Sequence, residues 1–90
     1  MFENLEFLIK TIRGRKNLSP DNSYTNKLLN DKNLSVSKVK EEISELIEAV
    51  EKNSNKIHEA ADVIYHLMVY LEANDVKIED VMTELKKRQK

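Results

Sequence analysis

The residues best suited to chemistry in this chain are carboxylates, and they fall into two groups. Glu41-Glu42-Ile43-Ser44-Glu45 is followed, after a short interval, by Glu59-Ala60-Ala61-Asp62. On an α-helix, residues three apart lie about 60° apart around the axis and one turn along it. Glu42 can therefore converge with Glu45, and Glu59 with Asp62. If the two helices are antiparallel neighbours, the pairs face each other and make an all-oxygen pocket. That ligation suits a hard cation such as Mg²⁺ or Mn²⁺.

The second group has an added feature. Glu59, Asp62 and His66 form one narrow stripe on a segment otherwise made of Ala, Val, Ile, Leu, Met and Tyr. Ionised carboxylates in a largely buried helix are costly unless they are paired or bound to a metal. Lys38, Lys40 and Lys56 are the nearest basic partners in the sequence, so a salt-bridged acidic face is the competing reading. For His66 alone the competing reading is a satisfied, half-buried histidine. Tyr65 and Tyr70 read as core or dimer packing. No Gly-rich phosphate loop and no nucleic-acid-binding motif is present.

Composition limits what else this chain can be. Ninety residues form one domain, 1–90, and so short a chain buries a limited core, which favours oligomerisation. Fifteen basic and sixteen acidic residues leave a formal net charge of −1, too little to attract nucleic acid non-specifically. The absence of cysteine excludes disulfides, thiolate metal sites and a Cys nucleophile. No apolar run is long enough to span a membrane, and the N-terminus has no signal-like segment, so a cytoplasmic protein is expected.

Periodicity supplies the elements that must position the acids. Leu5, Leu8, Ile9 and Ile12 predict a first helix that Gly14 could end, and Arg15 to Pro20 reads as a loop. Ser19 and Pro20 look like the start of a short second helix carrying Tyr24, Leu28 and Leu29. Asn30 to Asn33 reads as a polar link. Val36, Val39, Ile43, Leu46 and Val50 then mark the stripe of a third helix, capped by Ser35 or Ser37. Lys52 to Asn55 is a turn short enough to make the next helix an antiparallel neighbour. The fourth helix, from about Lys56 to Ala73, is apolar around nearly its whole circumference, and a second subunit could cover what one bundle leaves bare. A last helix runs from Ile78 to Leu85, ahead of a basic tail.

These segments resemble a known family, the MazG-like nucleotide pyrophosphohydrolases, through the spacing Glu41-Glu42-x-x-Glu45 and Glu59-x-x-Asp62. Within that superfamily the chain is similar to phosphoribosyl-ATP pyrophosphohydrolases. The similarity lies in Arg15-Lys16 followed by Pro20 and Ser23-Tyr24-Thr25, in Lys38-Val39-x-Glu41-Glu42, and in His58-Glu59-Ala60-Ala61-Asp62-Val63-Ile64-Tyr65-His66-Leu67. Ile78-Glu79-Asp80-Val81 with Glu84-Leu85 matches the closing helix. Lys40, where the family usually has Gly, and Ile43-Ser44 depart from its pattern.

The resemblance implies an all-α bundle of four to five helices, a homodimer joined through the central helices, and a small-molecule nucleotide substrate. It implies hydrolysis of phosphoribosyl-ATP to phosphoribosyl-AMP and pyrophosphate, the second step of histidine biosynthesis. Glu42, Glu45, Glu59 and Asp62 would hold Mg²⁺, with Mn²⁺ as a substitute; Glu41 would be an outer ligand or the base that orients water, and Glu41 and Glu42 would be the catalytic residues. Arg15, Lys16 and Lys38 would meet phosphates, Tyr24 and Thr25 the nucleotide or ribose-phosphate, and His66 would support the substrate side. The alternatives are another MazG-like enzyme acting on nucleoside triphosphates, and a helical dimerisation module without catalysis.

Overall fold

The computed structural model describes residues 1–19 and 23–89. It is all-α, as expected. Helix α1 spans Glu3–Gly14, a 3₁₀ turn Arg15–Asn17, α2 Tyr24–Asn30, α3 Lys32–Lys52, α4 Lys56–Ala73 and α5 Ile78–Lys87.

Several boundaries differ from the expectation, and each difference has a local cause. Gly14 keeps a right-handed φ of −66°, so α1 ends by tightening into the 3₁₀ turn and not through a left-handed glycine. The segment read as a loop from Arg15 thus begins as helix. The second helix is capped four residues later than predicted: Ser23 accepts from the Asn26 amide, while Ser19 is non-helical and the start placed at Pro20 lies outside the described residues. The polar link before α3 shrinks to Asp31, whose Oδ1 accepts from the Leu34 amide at 3.0 Å. With Asp31 as the cap, Ser35 and Ser37 lie inside the helix, and Ser35 is buried.

Helices α3 and α4 form an antiparallel hairpin, and its turn contains Asn53 and Asn55, both in the left-handed region at φ 53° and 56°. Ser54 N–H donates to the Ala49 carbonyl at 2.9 Å, closing the end of α3. The end of α4 repeats the device, with Asp75 at φ 58° and Val76 N–H donating to Leu71 O at 2.9 Å. Asn and Asp tolerate this conformation better than other L-residues, so neither helix needs a glycine to stop.

The core sits where α1, α2 and the C-terminal half of α4 meet. Ile12, Leu28 and Val69 are its fully buried centre, with Leu8, Leu34, Tyr65 and Met68 packed around them. The α3 stripe and the far side of α4 stay partly bare: Ile47, Val50 and Ile64 are each 45–56 % exposed, and Ile57 is 87 % exposed. A helix apolar all round is therefore covered on one side only within this chain.

Candidate metal and nucleotide site

The hairpin brings both acidic groups to one place. On α3, carboxylate oxygens of Glu41, Glu42 and Glu45 lie within 4.8 Å of one another; on α4, ligand atoms of His58, Glu59 and Asp62 do the same. Glu45 stands between the two sets, with Glu42 along its own helix and Glu59 across the hairpin, where both line one depression with Ala49 and Ser54.

The electrostatics follow from this crowding. Burial, then the negative charge of Glu45, pushes the Glu42 carboxyl above the usual range, with a further contribution from Asp62 and an opposing one from His66. Glu59 is raised by desolvation first and by Glu45 next. Glu42 is only 8 % exposed. One oxygen of Glu42, one of Glu59 and Nε2 of His66 are buried with no hydrogen-bond partner among the described residues.

Such atoms are rare in folded proteins because each forfeits its hydration. The salt-bridge reading would have the nearby lysines satisfy them, and they do not. Lys38 pairs with Glu41 at 3.3 Å, and Lys56 donates to Asn53 Oδ1 at 2.5 Å. Among the described residues, the ion pair made by the quartet is that of Asp62 with His58 at 3.3 Å, which is charged only when His58 is protonated. A hard divalent cation fits what is there: oxygen donors from two helices, with lone pairs left over.

The nucleotide-side residues gather beside the acids. His66 Nδ1 lies 2.8 Å from the Asp62 carbonyl, which can only accept, so Nδ1 is the donor there and Nε2 is the ring nitrogen without a partner among the described residues. Tyr65 and Tyr24 meet the imidazole edge-on, with ring centroids 4.9 and 6.3 Å away. Tyr24 is raised mainly by desolvation and feels Lys38, Glu41 and Glu42, so it faces the acidic cluster. Thr25 Oγ1 and the Tyr65 hydroxyl are 2.5 Å apart.

The basic residues are less uniform. Lys38 lies at the rim of the cluster on Glu41. Arg15 is exposed on the 3₁₀ turn. The Lys16 ammonium is held by Glu72 at 2.7 Å, ten residues beyond Asp62 on α4 and thus roughly 15 Å along the helix. The structure does not bring Lys16 to the acids. Glu72 escaped the sequence reading, as did Arg13, which forks onto Glu79 at 2.7 and 2.9 Å and reaches Glu72 at 3.3 Å. Tyr65, expected to pack, packs against the core and also bonds Thr25.

Residues 5–89 match the family model described as phosphoribosyl-ATP pyrophosphohydrolase. The chain belongs to that family.

Among relatives named phosphoribosyl-ATP pyrophosphatase, one from Clostridium novyi is 46 % identical over 92 residues, covering 96 % of this chain and 81 % of its own. One from a Caulobacter strain is 42 % identical, covering 99 % and 85 %. One from Halobacterium salinarum is 38 % identical, covering 98 % and 99 %. Membership of the phosphoribosyl-ATP pyrophosphohydrolase family places the chain among phosphoanhydride hydrolases and removes the reading of a helical module without catalysis.

Proposed function

We propose that this chain hydrolyses phosphoribosyl-ATP to phosphoribosyl-AMP and pyrophosphate, the second step of histidine biosynthesis, in a Mg²⁺-dependent reaction. The observation that carries the proposal is the convergence of Glu42, Glu45, Glu59 and Asp62, with buried oxygens left unpartnered, in a chain of this family. The family match and the relatives' names support the substrate.

Glu42, Glu45, Glu59 and Asp62 would hold the ion, and Mn²⁺ could replace Mg²⁺. Bound there, the ion would offset the diphosphate's charge and help activate water. Glu41, at the rim beside Lys38, orients the attacking water or acts as an outer ligand. Lys38 supplies a point charge to phosphate, and Arg15 a planar fork. Lys16 serves the far end of the substrate, exchanging Glu72 for phosphate. Tyr24 and Thr25 line the nucleotide side, and His66 Nε2 accepts from a ligand hydroxyl or amine.

The active form is a cytoplasmic homodimer joined through α3 and α4. Support comes from the exposed apolar side of this hairpin, which includes Ile47, Val50, Ile57 and Ile64. No helix among the described residues is long and apolar enough to cross a bilayer.

Pyrophosphate release should be measured with phosphoribosyl-ATP and a panel of nucleoside triphosphates, using Glu59→Ala as control. Preference for phosphoribosyl-ATP by orders of magnitude, lost in the control, is the expected result. Equal or better turnover of ordinary triphosphates would instead favour a broader MazG-like activity, in keeping with the departures at Lys40 and Ile43-Ser44.

A further inference from the structure

Asn26 is a polar side chain only 1 % exposed, and nothing in the proposed reaction uses it. Its Nδ2 donates to two consecutive carbonyls of the 3₁₀ turn, Arg15 O at 2.6 Å and Lys16 O at 3.2 Å. Asn30, one helical turn further on and exposed, donates to Asn26 Oδ1 at 2.9 Å and to the Asn26 carbonyl at 2.9 Å. A donor at Asn30 can only face the oxygen of the Asn26 amide, so Asn30 sets which way that amide points.

The turn buries no side chain of its own, and within it Leu18 N–H closes on Arg15 O at 3.1 Å, an oxygen that Asn26 then shares. The same N-terminal end of α2 is anchored in two further ways: Asn26 N–H donates to Ser23 Oγ at 3.1 Å, and Thr25 bonds Tyr65 on α4. One short helix thus ties the backbone of a basic turn to the helix that carries Glu59 and Asp62.

We infer that Asn26 is a positioning residue for the basic turn. It holds the Arg15-Lys16 backbone in register with Tyr24 and Thr25, and Asn30 orients it for that task. The inference rests on the proposed use of Arg15 and Lys16 against substrate phosphates. It adds that the backbone beneath them is held by a buried amide, in addition to the ion pair that Lys16 makes with Glu72. A clamp of this kind changes the affinity for a bound anion and leaves the bond-breaking step alone.

The test is steady-state pyrophosphate release from phosphoribosyl-ATP by the full chain with Mg²⁺. The variants are Asn26→Ala, Asn30→Ala, Arg15→Ala/Lys16→Ala, and the last combined with Asn30→Ala. Asn30→Ala alters an exposed position, so it carries the test if Asn26→Ala fails to fold.

Asn30→Ala should raise KM about fivefold with kcat little changed, the scale expected for one lost hydrogen bond. That rise should vanish in the Arg15→Ala/Lys16→Ala background, because the clamp would have nothing left to position. A KM rise of the same size in both backgrounds, or a fall confined to kcat, overturns the inference. So does an unchanged KM for Asn30→Ala where Arg15→Ala/Lys16→Ala raises it, and in that case the phosphate role of the turn stands. If Arg15→Ala/Lys16→Ala itself leaves KM unchanged, the phosphate role fails and the clamp with it.

Discussion

Glu42→Gln distinguishes a metal site from an acidic surface through stability as well as turnover. Glu42 has a buried oxygen with no partner and sits beside the carboxylate of Glu45. An unsatisfied buried polar atom costs about 1–3 kcal/mol. Gln keeps the shape, removes the charge, and offers an N–H to Glu45 in place of repulsion. For 90 residues, an unfolding entropy of about 2.1 cal/mol/K per residue gives about 0.19 kcal/mol/K, so each kcal/mol moves Tm about 5 °C. The metal-free variant should therefore melt about 5–15 °C above the metal-free parent. Mg²⁺ acts in the opposite direction on the pair. At a hundredfold excess over Kd it stabilises the parent by about 2.7 kcal/mol, or about 14 °C, and it should stabilise the variant hardly at all. Differential scanning calorimetry in EDTA and across a Mg²⁺ titration reads both effects, with pyrophosphate release followed in parallel. A variant that melts lower in EDTA and keeps the full Mg²⁺ shift would refute this account of the site.

Two further outcomes are expected. Because Glu42 and Glu59 are both raised, the folded metal-free chain binds more protons than the unfolded chain just above the ordinary carboxylate pKa. Their contribution is thus fully present below about pH 4.3 and is lost as pH rises through the higher folded values. Tm measured in EDTA should fall as pH rises above about 4.5, and Mg²⁺ should remove that fall; a profile that rises there in EDTA counts against it. Ile64→Glu places a charge on the bare side of α4, where Ile64 is 45 % exposed. Light scattering after size exclusion should show a dimeric parent and a monomeric variant, and a variant that remains dimeric would move the interface elsewhere.

How far the sequence led depended on whether a feature was local. The i, i+3 acid pairs and the short Lys52–Asn55 turn are local, and together they nearly determine the quartet, because a tight hairpin leaves α4 few ways to face α3. The caps were less legible. Ser19, Ser35 and Ser37 have the right chemistry, but so do Ser23 and Asp31, and only the fold decides which one meets a free amide. The ion pairs of Lys16 and Arg13 were hidden for a different reason. Their partners Glu72 and Glu79 stand 56 to 66 residues away in the chain, and nothing in periodicity links them. Asn26 reads as one polar residue of a short helix until its side chain is seen under the turn.

The Arg13 fork has a consequence for how the molecule comes apart. Helix α5 is joined to the rest partly through Arg13 and Glu79, an exposed pair whose carboxyl is drawn down to about 2. Exposed ion pairs weaken as salt accumulates around them. Ionic strength should therefore loosen the C-terminal segment well before it touches the α3–α4 hairpin. The chain then has two tiers of cohesion: a hairpin that carries the acids, and a terminal helix that can lift away while they stay in place. Lifting it bares more of Ile9, which lines a groove between α1 and α5 with the already exposed Met82. Self-association in concentrated salt would then start at the edge of the molecule farthest in kind from its chemistry.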